Sequence, residues 1–407
     1  MELLNTHTVE QVQEIIREIG IQGGSLSQTV ALEEGLHRCL AEPIQSLHDI
    51  PAFPRSTVDG FAVRASDTFG AEESIPAMLQ CIGEVEMGKP VSIHIHAGEC
   101  AYVPTGGMIP EGSDAVVMTE YVEEADKILV LVYQSVSPGA NVLAVGEDIS
   151  AGKAVFQAGH RLRPQDLGLL AGMGYDKISV TTPLKAAVIS TGNELIPPGE
   201  PLVPGKIIDM NTYSLQAALK EDGFIIAGTA VVGDQRQDLE NAINHFMKKA
   251  DIILVSGGSS MGVHDVTREA IDAMGDPGVI VHGMAVKPGK PTIVGMAEQV
   301  LILGLPGQPV SALVVYHLLV RPLAMEKNGA LHPREAMCIL TENVPSAPGK
   351  EHWVMVKISS RNGVMTATPV HGKSGMLSMM ADAAGMFQIS VNQEGLPKGE
   401  CVKVILF

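Results

Sequence analysis

The chain has 407 residues, of which 45% are hydrophobic and 18% charged, and its formal net charge is −18. That length predicts two to four globular domains, and the composition excludes a disordered chain. A surface this acidic repels nucleic acid and anionic membranes, which removes both as partners.

The first predicted element is a helix opening at Thr8, where Gln11 three residues on completes a capping box. Val12, Ile15, Ile16 and Ile19 form its apolar stripe, and Gly20 ends it. A second helix is expected over Thr29–Ala41. From Pro51 to Asp148 the texture changes to short strands and turns. Val91, Ile93 and Ile95 alternate as one face of a strand, and residues 128–133 (ILVLVY) read as another. A β-domain over residues 49–148 is therefore expected as an insertion. Helical signals resume at Leu167, Leu170 and Ala171, so residues 1–48 and 149–181 form one discontinuous domain. Residues 182–327 alternate strand and helix, which predicts a three-layer α/β domain with a mainly parallel sheet. Ligands of such sheets sit beyond the carboxyl ends of the strands. Residues 328–407 return to short strands, with Asn362-Gly363 as a hairpin turn, and suffice for a small barrel or sandwich.

The five cysteines (Cys39, Cys81, Cys100, Cys338, Cys401) have no CxxC or Cys/His spacing. They read as buried thiols of a reducing compartment. The polar N-terminus lacks a signal peptide's basic and apolar regions. The apolar stretch 310–325 is broken by His317 and Arg321 and is too short to span a bilayer. The expected location is the cytoplasm.

Several segments carry chemistry. The turn-rich entry PAFPRSTVDGFAV delivers Asp59 ahead of a strand, a way of presenting an acid to a ligand. SGGSSMG places Gly257, Gly258, Ser260 and Gly262 between a buried strand and a helix, where backbone N–H groups can receive an anion. Asp265 follows, and also suits a helix N-cap. AVKPGKP holds Lys287 and Lys290 on a Pro/Gly-stiffened segment, which suits phosphate or oxyanion binding. GLPGQP, with Gly307 and Pro309, is a second candidate anion site at a helix start. Glu194, Asp209 and Asp234 each follow or flank a strand of the same sheet. One such acid is ordinarily a turn residue; several beside two lysines suggest Mg²⁺ bridging to phosphates. Thr105 and Asp148 lie on turns of the β-domain and gain meaning only by pairing with Asp59. His94 and His96 read as an exposed polar face, and the methionines of SGMLSMMADAAGM as packing or loop residues.

In their order, PRSTVDGFAV, VPTGGMIPEGSDAVVMTE, GEDISAGKAVFQAG, STGNEL, SGGSSMGVHD, VKPGKP and GLPGQP resemble the MoeA family, the molybdopterin molybdenumtransferases, which includes the C-terminal E domain of gephyrin. The resemblance spans essentially the whole chain. It implies an elongated homodimer of four-domain subunits, with a MogA/MoaB-like α/β domain and a C-terminal β-barrel. It implies insertion of molybdenum from molybdate into adenylylated molybdopterin, with Mg²⁺ and release of AMP. A molybdopterin adenylyltransferase is an implied partner. By the same resemblance, Asp59, Thr105 and Asp148 of one subunit would face the α/β domain of the other. Asp59 would serve the hydrolytic and insertion step; Glu194, Asp234 and Asp265 would organise Mg²⁺. Lys287, Lys290 and the glycine loops would bind phosphate and molybdate. The chain departs from the family pattern at Asn193 (commonly Asp), Gln308 (usually Asn) and Val263-His264 (commonly an acidic and aromatic pair). A non-catalytic molybdopterin-binding or scaffold paralogue is the alternative from another class, and a tungstate-preferring enzyme a narrower one.

Overall fold

The computed structural model describes residues 6–20, 26–126, 128–258, 266–329 and 331–407. The chain divides into two compact units. One comprises Thr29–Leu36 and Leu40–Ile178. The other comprises Ser179–Phe407 with His37–Cys39 and the N-terminal segment through Gln28. No helix among the described residues is long and apolar enough to cross a membrane.

The N-terminal helix α1 runs Val9–Ile19. Its capping box is reciprocal: Gln11 N donates to Thr8 Oγ1 at 3.2 Å, and Thr8 N donates to Gln11 Oε1 at 2.9 Å. Val12 and Ile16 of its stripe are buried in the core of the second unit. The helix expected over Thr29–Ala41 does not form. A strand occupies Ser27–Ala31 and a single 3-10 turn Leu32–Gly35. The β-branched pair Thr29-Val30 favours the extended chain.

The first unit is built on a six-stranded sheet: β1 (Gly60–Val63), β2 (Ala77–Glu84), β3 (Glu99–Val103), β4 (Ala115–Met118), β5 (Val122–Glu124) and β6 (Leu129–Val132). Their spatial order is β4-β1-β3-β2-β6-β5. Every residue of β1 is buried, because both faces of this central strand carry core: Phe61 and Val63 on one, Ala62 on the other. The strand expected from the alternation of Val91, Ile93 and Ile95 is absent. One isolated bridge joins His94 to Glu111, and Ile95 N donates to Glu111 O at 2.8 Å. Ile95 is buried, so the alternation marked an inward face without a ladder. Helix α2 (Pro164–Gly172) carries Leu170 into the core.

In the second unit, strands β7 (Lys185–Thr191), β8 (Ile225–Val232), β9 (Ile252–Ser256), β10 (Pro277–His282), β12 (Ile293–Ala297) and β13 (Val300–Leu305) form one sheet, with β11 (Val286–Lys287) lying outside it. The order is β8-β7-β9-β13-β12-β10. The first four strands are parallel, and the last two pair antiparallel. Helices α3 (Asn211–Glu221) and α6 (Pro309–Val315) pack on one face; α4 (Arg236–Met247) and α5 (Val266–Asp272) pack on the other. Along β7, Ala186 and Val188 enter one core while Ala187 and Ile189 enter the other. A strand covered on both sides must be apolar throughout, as these are. After α7 (Arg321–Lys327), the chain builds β14 (Glu335–Leu340), β15 (Glu351–Arg361), β16 (Val364–Pro369), β17 (Gly385–Ile389) and β18 (Cys401–Leu406). The order β15-β16-β14-β18-β17 closes through β15–β17 pairing into a five-stranded barrel. Asn362-Gly363 turns β15 into β16, both at positive φ, as a two-residue hairpin requires. Strand β11 adds to the barrel edge, setting Lys287 opposite His352.

All five cysteines are free. Cys39, Cys100 and Cys338 are buried, but Cys81 is only half-buried and Cys401 is exposed, so the expectation of five buried thiols fails at those two positions.

Candidate active site

Asp59 sits just before β1, and the fold holds it from behind. A Cβ on Gly60 would lie 2.1 Å from the carbonyl oxygen of Val117, so only glycine permits β4 to pair this closely. The carbonyl of Asp59 also accepts from Thr119 N at 3.1 Å. The carboxylate is exposed, and its Oδ1 accepts from Thr105 N at 2.7 Å and from Thr105 Oγ1 at 3.0 Å. These bonds, the backbone one foremost, hold the Asp59 carboxyl below its ordinary range, so it is an anion at neutral pH. Thr105 thus pairs with Asp59 inside one unit. Asp148 is exposed, its N–H donating to Ile50 O at 3.1 Å, and it forms no hydrogen bond with that pair. The rings of His94 and His96 meet at a tilt of 52° with centres 4.7 Å apart, and among the described residues no three acids, histidines or cysteines converge as a metal cage.

In the second unit a cavity of about 1220 Å³ opens between the strand ends of the α/β sheet and the barrel. It is lined by Glu194, Asp209, Asp234, Gly257, Gly258, Lys287, Lys290, Gly307 and Pro309 from the sheet side. The barrel contributes Lys350, His352, His371, Lys373 and Ser374. Among the described lining residues, four lysines stand against three carboxylates. The global charge of −18 is therefore locally reversed in balance. Ser260, Gly262 and Asp265 lie outside the described residues.

The two lysines are set by a closed loop. Met284 N donates to Lys290 O at 2.9 Å, and Thr292 Oγ1 donates to Gly289 O at 2.6 Å. Burial, then the charge of Lys287, pushes the His352 imidazole down to about 4, so it is neutral beside that lysine. Gly257 is glycine because of the protein itself. Its φ is +110°, and a Cβ would lie 2.2 Å from Thr191 O. At the second loop the N-terminus of α6 is only partly open to an anion. The first free donor, Val310 N, is already bonded to Ser374 O at 3.1 Å.

The acids are not equivalent. Asp234 is committed to local structure: Oδ1 accepts from Thr191 Oγ1 at 3.3 Å and Oδ2 from Asn193 N at 3.0 Å. Asn193 Oδ1 returns the favour, accepting from Asp234 N at 3.3 Å. Asp209 is buried, and its Oδ1 accepts from Thr212 N at 3.2 Å and Ser190 Oγ at 3.4 Å. Its Oδ2 is buried with no protein donor. Two residues on, Asn211 Nδ2 donates to Ser256 Oγ at 2.7 Å and Gly307 O at 2.8 Å, which leaves Asn211 Oδ1 without a donor as well. Two buried acceptor oxygens without donors suit a hard cation.

Three family models tile the chain: the MoeA N-terminal region (domains I and II) over residues 7–174, a probable molybdopterin binding domain over 187–326, and the MoeA C-terminal region (domain IV) over 338–407. A molybdopterin molybdenumtransferase of Bacillus subtilis is 32% identical across 99% of this chain and 95% of its own. The chain belongs to the MoeA family. A MoeA molybdopterin biosynthesis protein of Pyrococcus horikoshii OT3 superposes with a TM-score of 0.85 at 30% identity, covering 99% of this chain and 100% of that one. A Mycobacterium tuberculosis relative (strain H37Rv), molybdopterin molybdenumtransferase 2, is 32% identical over 89% of this chain and 90% of its own.

Within this MoeA chain, sequence reasoning missed the barrel's side of the cavity. Lys350 and Lys373 each sit beside a glycine in a basic turn, GKEHW and HGKSG, a weak signal at best. Asn211, close to the noted Asp209, reads as an ordinary helix-start residue until its orphaned oxygen is seen.

Proposed function

We propose that this chain is a molybdopterin molybdenumtransferase acting on adenylylated molybdopterin and molybdate. The observation that carries the reading is the lysine-rich cavity beside the orphaned oxygens of Asp209 and Asn211, in a chain that is otherwise strongly acidic. Lys287 and Lys290, fixed by their loop, bind the phosphate and molybdate oxygens. The backbone of Gly257 and Gly258 lines the same wall, and Ser260 and Gly262 are assigned the same anion-binding role.

Asp59, kept ionised by Thr105, serves as the base for the attacking water. Water adds to a phosphorus of the phosphoanhydride between pterin and AMP and gives its proton to Asp59, AMP leaves, and the dithiolene sulfurs bond to molybdenum as one molybdate oxygen departs as water with the two thiol protons. Asp148 stays with that half-site as an exposed carboxylate, without a bond to Asp59 or Thr105 and without a part in the step. The reading includes a homodimer in which Asp59 of one subunit serves the cavity of the other, and a preceding adenylyl-transfer enzyme as supplier.

Mg²⁺, when bound, offsets phosphate charge and polarises the bond that breaks. Asp209 Oδ2 and Asn211 Oδ1 would hold it, with Glu194 and Asp265 as further carboxylates. Asp234, whose oxygens already carry hydrogen bonds, orders the Asn193 turn and acts through it. The protein should release AMP from adenylylated molybdopterin only when molybdate is supplied. Asp209→Asn should raise the Mg²⁺ needed for half-maximal release on the order of ten- to a hundredfold, and should weaken Mn²⁺ binding measured by EPR. An unchanged metal requirement in both assays would remove Asp209 from the cation site.

A further inference from the structure

The barrel loop His371–Ser374 is tied to the GLPGQP turn of the α/β sheet. Ser374 Oγ donates to Gln308 Oε1, and Ser374 O accepts from Val310 N at 3.1 Å. Gln308 immediately precedes α6, a place where a side-chain oxygen ordinarily caps the helix. Its side chain makes no such cap bond. It reaches to the barrel instead, and the carbonyl of Ser374 takes over the capping. Asparagine, one methylene shorter, would fit the cap and lose the reach.

The loop is also fixed elsewhere. A Cβ on Gly372 would lie 2.9 Å from the sulfur of Met379, so the backbone lies directly on that side chain. Met376 N donates to Lys373 O at 2.8 Å, closing a turn, and His371 Nε2 lies 2.5 Å from Glu342 Oε1. Lys373 is thereby carried on a loop held at both ends, and it lines the cavity.

We infer that Gln308 is a positioning residue: it latches the barrel loop to the mouth of α6 so that Lys373 joins the wall that receives the substrate's anionic groups. The identity of the anion rests on the function proposed above; the latch does not.

Two replacements separate length from hydrogen bonding. Gln308→Met keeps the length and removes the acceptor, and Gln308→Glu keeps both. In the ligand-free full chain, hydrogen exchange at Val310 and residues 371–376 should speed up about tenfold in Gln308→Met and stay near wild type in Gln308→Glu. Gln308→Met and Lys373→Ala should each raise KM for adenylylated molybdopterin about three- to tenfold, with kcat little changed. Because Gln308 acts through Lys373, the double variant should be no worse than Lys373→Ala alone. Wild-type exchange in Gln308→Met, or KM effects that multiply in the double variant, would overturn the inference. Faster exchange in a protein whose wild type shows no transfer activity would retire the proposed function and leave the latch standing.

Discussion

Asp59→Ala abolishes turnover and leaves the protein folded. The carboxylate is exposed, so its loss opens no cavity and strands no buried partner. What disappears is an anion of fixed position. Thr105 holds Oδ1 with two hydrogen bonds, so the acid does not wander and does not protonate near neutrality. Losing a general base of this kind costs roughly 10²–10⁴-fold in kcat. On the proposed reading substrate binding rests on the lysine cavity, so it should be preserved. Thr105→Val probes the same pair more gently. It removes the hydroxyl donor but keeps the backbone N–H, the larger of the two causes that lower the Asp59 carboxyl. The carboxyl then rises part of the way toward its ordinary range, and the acid limb of the pH–rate profile moves up with it. Circular dichroism and thermal melts should match wild type in both variants. Wild-type turnover in Asp59→Ala would sink the role assigned to it.

Lys287→Ala acts on the other half of the chemistry and should appear in KM first. Lys287 stands opposite His352 where β11 joins the barrel edge, beside a loop closed by Met284 and Thr292. A fixed ammonium bonded to a phosphate or molybdate oxygen gives a charge-assisted contact, and its loss should weaken substrate binding roughly ten- to a hundredfold. A second readout needs no substrate. Lys287 is one of the two causes that depress His352, after burial. Removing it should raise the imidazole from about 4 by an NMR titration, while burial keeps it below the ordinary histidine value. The sign for stability follows. His352 takes protons more readily when unfolded, so stability is complete above the unfolded histidine value and falls as pH drops from there toward about 4. Lys287→Ala narrows that window. An unmoved His352 titration would mean the two groups do not feel each other.

Much of this was legible from residues alone, for physical reasons that differ by element. The strand–helix alternation of 182–327 is readable because a sheet covered on both faces demands apolar strands, and Ala186 to Ile189 fill alternate cores. The Asp59 turn is readable because Gly60 is forced by the neighbouring strand. At Thr29–Ala41 the expected helix gives way to a strand, because the β-branched pair Thr29-Val30 favours the extended chain. The barrel side of the cavity was hidden for another reason. Lys350, Lys373 and Ser374 are distant in sequence from Lys287 and reach it only through barrel closure and the pairing of β11 with β15. In the sequence Asp209 reads as one acid among several. Its rank over Asp234 depends on which oxygens already have donors, and sequence cannot show that.

The most direct test follows both products in one incubation of wild-type protein with adenylylated molybdopterin, molybdate and Mg²⁺. The account predicts AMP release matched one to one by molybdenum retained on the pterin, with neither formed when molybdate is withheld. Tight binding of the adenylylated pterin with no AMP and no molybdenum incorporated would contradict it and mark the chain as a binding or scaffold member of its family.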